Sequence, residues 1–407
     1  MAVPDTLSQG GDREPSPWPR RMATAAVVVL AAVLIVVHLP RSGHSPARSA
    51  RASATASAPP AAAGAAPPAA AGVPDGITGP SLSWPGALRL PAAGPRPTWF
   101  LPGTGQMVPI GGLPAYRSGY EFTRAAGGWA IQASPGGQSG CGACALPPRP
   151  VYFLADGARS VTRVGSADAV APAAAGALWL TSYALGADPA SAAGTAREVS
   201  TDGAPLGSPV KLPAGYQIEQ ATDGGLLLAP ADLLTSSVVY RLWDPATART
   251  SWTFDSVLAA NSTQIAWAPP CAARCGVRVT NLVTGRQVTA DMPGGRSPVN
   301  AAFSPDGRYL AVETSFSNEG DDGGQAVQLG LVSTATGGLT AIPGTWLSSD
   351  ALISFGWPAS GDSLVAELGF TTKVQLMSWH PGATRLAVAA ISPGQSLTSL
   401  AIGQYAA

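Results

Sequence analysis

From about Leu82 to the C-terminus, short apolar runs alternate with turns of Gly, Asp, Asn and Thr in a repeating two-beat pattern. In one beat a small-residue turn runs into an apolar strand, most clearly at Phe303-Ser304-Pro305-Asp306-Gly307-Arg308-Tyr309-Leu310-Ala311-Val312. In the other an apolar strand ends at a Thr-Gly or Asp-Gly tip, as in Asn281–Arg286 and Leu331–Gly338. Alternation with a period of two, bounded by such tips, predicts antiparallel hairpins. The second beat recurs at Trp99–Gly105, Tyr152–Gly157, Glu198–Gly203, Arg241–Thr247 and Met377–Gly382, which with the two clearest copies makes seven. The first beat precedes six of them, at Phe122–Ile131, Val170–Leu180, Glu219–Ala229, Leu258–Trp267, Ala302–Val312 and Phe355–Glu367. A unit of four short strands cannot bury both faces alone, so the repeat predicts an all-β, seven-bladed β-propeller over residues 80–407.

In the best copy, Asp306 can bond the backbone ahead of it while Gly307 supplies a positive φ. The Phe303–Gly307 motif resembles the repeat of TolB-like (WD-repeat-like) propellers, with the likeness best over residues 295–345. TolB-like propellers of bacterial envelopes mostly bind other proteins, and the resemblance implies a binding role here. Ring closure also leaves a trace. The stretch Ser396–Ile402 reads as one strand with no partner beats after it, while the N-terminal blade shows strands near Ala87–Leu90, Thr98–Leu101 and Gln106–Ile110 without a convincing inner strand. Shared between the termini, one blade would pin the ring shut and remove exposed edges.

The N-terminal residues have a different pattern. Arg20 and Arg21 precede an apolar run, Met22–Leu39, broken only by Thr24 and His38. As a helix it would span about 27 Å, close to a hydrocarbon core of roughly 30 Å. A single-pass signal anchor is the favoured expectation. The alternative is a cleaved signal peptide, with an Ala-x-Ala match at Ala52–Ala54 that sits well beyond the apolar run. Positive-inside counting is close to a tie, with Arg13, Arg20 and Arg21 before the run and Arg41, Arg48 and Arg51 after it. The adjacent arginines and the cysteines favour a short cytoplasmic tail (1–21) and an extracytoplasmic C-terminal domain. Residues 40–79, rich in Ala, Pro, Ser and Gly, read as a disordered linker with a mean reach of about 35 Å.

Charge narrows the function. Lysine occurs only at Lys211 and Lys373, and from Gly76 onward 18 basic residues face 20 acidic ones. Nucleic-acid binding through a basic field is not expected. The histidines are His38, His44 and His380, so His-based catalysis and a His₃ metal site have little to draw on. No phosphate loop or Rossmann fingerprint is present, and no cofactor or metal is expected.

Four cysteines form two close pairs, Cys141/Cys144 and Cys271/Cys275, each between the second and third strands of its blade. A shared zinc site would have to join the second and fifth blades, nearly opposite on the ring. A thioredoxin-like pair would need a helix that Pro147 and Pro148 oppose. Two local disulfides, Cys141–Cys144 and Cys271–Cys275, are the expectation, and they require an oxidising compartment. Gly361-Asp362-Ser363-Leu364 spells a lipase-type nucleophile motif, but it aligns with the Gly307–Leu310 turn and no Asp-x-x-His partner follows. Residues 318–323 offer carboxylates to Ca²⁺, but a solvated acidic loop is the favoured reading. Most tryptophans, among them Trp129, Trp179, Trp243, Trp267, Trp357 and Trp379, occupy strand positions suited to filling wedges between blades, with glycan stacking the alternative.

The expected function is therefore a non-catalytic, membrane-tethered extracytoplasmic propeller that docks a protein or envelope ligand on one face. A propeller hydrolase or lyase with carboxylates around the central channel is the alternative, and a structural spacer without a ligand is a third reading.

Overall fold

The turns set the strands. At the best first beat, Ser304 Oγ donates to Asp306 Oδ1 at 2.6 Å and accepts from the Tyr309 amide at 3.0 Å, while Asp306 Oδ1 also accepts the Arg308 amide. At a second beat, Asn281 Oδ1 accepts the amides of Val283 and Thr284 and the Gly285 amide returns to Asn281 O. Short polar side chains thus close each turn locally, and the apolar residues on either side are left to pair.

The computed structural model describes residues 89–93, 96–116, 119–133, 147–231, 239–271, 275–317, 325–348, 352–358, 363–369 and 374–391. All of them belong to one compact unit, Ala62–Leu233 with Ser237–Ala407. The expected membrane run (22–39), the linker (40–79), Cys141 and Cys144, the acidic loop (318–323) and the closing strand (396–404) lie outside these residues. Among the described residues no helix is long and apolar enough to cross a membrane.

Seven antiparallel sheets follow one another along the chain, six of four strands and one of three. The first blade holds β1 (Leu90–Ala92), β2 (Thr98–Leu101) and β3 (Gln106–Pro109). The second holds β4 (Tyr120–Ala125), β5 (Gly128–Ala133), β6 (Arg149–Ala155) and β7 (Thr162–Ala167), and the third β8 (Ala169–Pro172), β9 (Leu178–Ser182), β10 (Thr195–Val199) and β11 (Val210–Lys211). Next come β12 (Tyr216–Thr222), β13 (Gly225–Pro230), β14 (Tyr240–Asp244) and β15 (Arg249–Phe254). The fifth blade is β16 (Val257–Ala260), β17 (Gln264–Trp267), β18 (Gly276–Asn281) and β19 (Gln287–Asp291). The sixth is β20 (Ser297–Phe303), β21 (Tyr309–Ser317), β22 (Gln325–Ser333) and β23 (Leu339–Ser348). The last is β24 (Leu352–Gly356), β25 (Leu364–Gly369), β26 (Val374–Trp379) and β27 (Ala387–Ile391).

The seven-bladed propeller read from the sequence is the fold. Its core is divided into seven apolar wedges, one at each blade-to-blade junction. Trp99, Trp129, Ile131 and Leu154 fill the wedge between the first two blades, and Phe153, Val164, Leu178 and Leu180 fill the next. Trp179, Ile218, Leu228 and Trp243 join the third and fourth blades; Leu227, Leu242, Phe254 and Ile265 join the fourth and fifth. Val277, Phe303, Leu310 and Val332 lie between blades five and six, and Leu329, Ile342, Trp357, Met377 and Trp379 between six and seven. The seventh wedge closes the ring, where Leu90, Ala92 and Phe100 of the first blade meet Val365 and Leu376 of the last. Wedge filling accounts for the tryptophans at 99, 129, 179, 243, 357 and 379, all of them buried.

In the first blade the Gly105 amide bonds Leu101 O, as Gly285 does to Asn281 O and Gly337 to Ser333 O. The β2–β3 hairpin is therefore the third-to-fourth hairpin of a blade. The strand missing from this sheet, among the described residues, is the innermost one.

Candidate binding face

A four-stranded meander puts its first–second and third–fourth connections at one end and its second–third and blade-to-blade connections at the other. The first end is a turn face, with links as short as 126–127, 223–224 and 261–263. The other is a loop face. Its second-to-third links run from 134–148 and 183–194 through 231–239, 268–275 and 318–324 to 370–373, shortening around the ring.

On the loop face, 183–194 is built as a rigid projection. Its base is fixed by the Tyr183 amide, which donates to Asp168 Oδ2 at 2.8 Å, and by the Tyr183 hydroxyl, which donates to Tyr216 O at 3.0 Å. Its tip is a turn closed by the Ala187 amide on Ala184 O, with Gly186 at a φ of +76°. Asp188 then accepts the Ala190 amide on its side chain and the Ser191 and Ala192 amides on its carbonyl. The loop returns through Gly215 N to Ala192 O and Leu212 N to Gly194 O. At the tip stands Leu185, 76% exposed.

Beside this base, the Arg241 guanidinium lies over the Tyr216 ring, 4.4 Å from its centroid. Toward the second blade, Arg149 donates to Ala133 O and Asp168 O, both at 2.7 Å, and approaches Glu121 at 3.5 Å. Burial raises the Asp168 carboxyl above its ordinary value, although the Tyr183 amide and Arg149 pull the other way. Burial, and after it the Asp168 charge, pushes the Tyr183 hydroxyl up to about 12, so it stays a donor at neutral pH.

The innermost strands carry a further regularity. β12, β16, β20 and β24 each slip register by one residue, at Glu219, Leu258, Val299 and Ile353. Such a bulge turns one residue out of the ladder. Glu219 is exposed between the buried Ile218 and Gln220, and Val299 is exposed next to the buried Pro298. Glu219 keeps solvent on one side while protein crowds the others, and that crowding raises its carboxyl. Tyr240 is pushed up to about 12 by burial first and by Glu219 second. Just past the bulges, Glu313 pairs opposite Asn300 and Glu367 opposite Ser354, the same place in adjacent blades. Burial pushes Glu313 up to about 7, and Glu367 is wholly buried, accepting a bond from Ser354 Oγ at 3.4 Å.

Cys271 and Cys275 are joined in a disulfide on the loop face, with both Sγ atoms within 4.0 Å of Ser297 Oγ. His380 sits exposed on the turn face, its Nδ1 2.8 Å from Pro381 O. Ser363 directly precedes β25, in the position Tyr309 takes before Leu310, as the turn reading of that motif expects. Among the described residues no group of three or more His, Cys, Asp or Glu side chains is placed to hold a metal. Sequence reasoning passed over Leu185, Arg241, Glu219, Glu313 and Glu367. Glu313 and Glu367 did leave a signal: aligning Leu310–Glu313 with Leu364–Glu367 repeats a glutamate at one place in two copies.

No family model and no curated protein sequence matches the chain. Among solved structures, TolB from Acinetobacter baumannii is similar at 10% identity and a TM-score of 0.39, over 74% of this chain and 63% of that one. A putative 6-phosphogluconolactonase from Bacteroides fragilis is similar at 14% identity and 0.41, over 75% and 94%. A puromycin hydrolase mutant is similar at 15% and 0.41, over 68% and 47%. This chain thus spans less than two thirds of the length of TolB and about half that of the hydrolase. At these identities and scores no activity transfers, and the propeller assignment rests on the seven sheets themselves.

Proposed function

We propose that this protein is a membrane-tethered, extracytoplasmic propeller that docks a protein or envelope ligand on its loop face. The reading is carried by the 183–194 link of the loop face, which is braced from base to tip and holds an apolar residue in solvent. Loops held on a rigid scaffold are where binding residues concentrate. The Cys271–Cys275 disulfide supports an oxidising compartment, and the Met22–Leu39 run supplies the anchor. The test is a reporter fused at Ala407 in the full chain, using one version active only outside the cytoplasm and one active only within. Activity of the cytoplasmic version alone would overturn the topology.

A second reading, a hydrolase or lyase working from the central channel, is favoured by Glu313, whose carboxyl near 7 suits proton transfer at neutral pH. It requires that Glu313→Gln abolish turnover of a substrate while leaving partner capture on the loop face intact.

A further inference from the structure

The fifth blade carries the one disulfide among the described residues, and its two halves are unequally placed. Cys271, in the link that follows β17, is exposed, whereas Cys275, which leads into β18, is 8% exposed. Little in the blade depends on the bond between them. The Ala268 amide donates to Ser256 O and the Met292 amide to Cys275 O. β18 is paired on both sides, with Arg278 opposite Trp267 in β17 and Gly276 opposite Asp291 in β19. The disulfide spans a sequence separation of four, which puts its chain-entropy contribution at the low end of the disulfide range. The bond can therefore open without unravelling the sheet.

Ser297 supplies the third part. It begins β20 of the next blade and pairs with Ser315, so the sheet rather than the disulfide fixes its place. Its Oγ lies 3.6 Å from Cys275 Sγ and 4.0 Å from Cys271 Sγ, and among the described residues the hydroxyl has no other partner. A disulfide sulfur carries no hydrogen, so the hydroxyl is the donor. Sulfur in a disulfide accepts weakly, while a thiolate accepts strongly. The contact thus gains most when the bond breaks and charge collects on sulfur, which is what an assisting group must do.

We infer that Cys271–Cys275 is a thiol–disulfide exchange site, with Cys271 the sulfur attacked, Cys275 the sulfur released and Ser297 the donor that receives it. The co-reactant is a low-molecular-weight thiol. Its thiolate, RS⁻, bonds to the Cys271 sulfur as the Cys271–Cys275 bond breaks, and the electron pair departs on Cys275. A second RS⁻ attacks the outer sulfur of the mixed disulfide, forming RSSR and releasing Cys271, and both cysteines take up protons. Two external thiols are oxidised to one disulfide while the protein's pair is reduced. This activity does not depend on the docking reading above and is tested apart from it.

The experiment treats the purified full-length chain, without denaturant, with glutathione, a monothiol that lets the mixed disulfide accumulate. Free thiols are blocked by alkylation, and peptide mass mapping follows each cysteine separately. The expected result is glutathione on Cys271 rather than Cys275. Ser297→Ala should slow loss of the bond about threefold, and Ser297→Thr, which keeps the hydroxyl, should restore the rate. Melting temperatures of both variants, unchanged from wild type, show that the fold survives; the wild-type map decides the order of attack even if a variant does not fold. Glutathione on Cys275, or equally on both, would overturn that order. A rate indifferent to Ser297→Ala in a folded variant would overturn the part given to Ser297. Reduction seen only where the protein unfolds, or not at all, would overturn the site and leave a structural staple.

Discussion

The guanidinium of Arg124 grips the carboxylate of Asp156 through two bonds, of 2.5 and 2.7 Å, while lying over the ring of Trp129. The arginine side chain is 4% exposed, at the end of β4, and the aspartate sits in the turn after β6. The pair ties the first and third strands of the second blade together at the turn face.

Asp156→Ala leaves a buried guanidinium without its anion. It should lower stability by about 2–3 kcal/mol, whereas Asp202→Ala, in a similar but exposed turn, should change stability little. Urea unfolding of the two variants side by side checks this, and equal losses would mean that the ion pair is not what matters.

Glu313 predicts a pH dependence of definite sign. Its folded value, about 7, lies above its ordinary 4.5, so the folded protein holds a proton that the unfolded chain releases. Stability from this group is intact below about 4.5 and is lost as pH rises through 7. Glu313→Gln should therefore match wild type near pH 4.5 and exceed it at pH 8. Parallel stability curves for the two proteins across that range would refute the shift.

Trp357 is one of two tryptophans in the wedge between the last two blades, and its Nε1 donates to Ala302 O across the junction at 3.1 Å. Trp357→Ala should cost about 3–5 kcal/mol. Trp252→Ala, on the outer strand of the fourth blade where the ring is partly exposed, should cost much less. Calorimetry on both separates wedge filling from mere aromatic content.

The first blade lacks an innermost strand among the described residues, and the apolar stretch 396–402 is the candidate to supply it. Removing residues 395–407 should then sharply lower the melting temperature or cause aggregation through unpaired edges. Removing 55–67 from the linker should leave melting unchanged. Equal behaviour of the two truncations would rule out a closing strand at the C-terminus.

What the sequence disclosed is mostly what neighbouring residues decide. The hairpin at Leu331–Gly338 was readable because its turn needs a glycine with positive φ, and the structure adds a second reason. Gly337 has a φ of +76°, and a Cβ there would fall 2.3 Å from Thr289 O of the preceding blade. The pairing of Arg124 with Asp156 has no local signature, because the strands between them must fold before the two meet. Leu185 was hidden for the opposite reason: a leucine among alanines looks like strand until the Asp188 bonds show it to be a braced loop. The bulge at Glu219 was equally silent, since the beat Glu219–Ala229 reads the same with or without the slipped register.

The seam between the last blade and the first has a temporal meaning. During synthesis six wedges can form as soon as each new blade leaves the ribosome, because both of their walls are adjacent in the chain. The seam of Leu90, Ala92, Phe100, Val365 and Leu376 must wait for the final strands. Until then the nascent ring is an open arc with two sticky ends, and a chain delivered slowly across a membrane would spend most of its assembly in that state. Shielding is needed longest at the first blade, whose wall stays open until the last blade arrives.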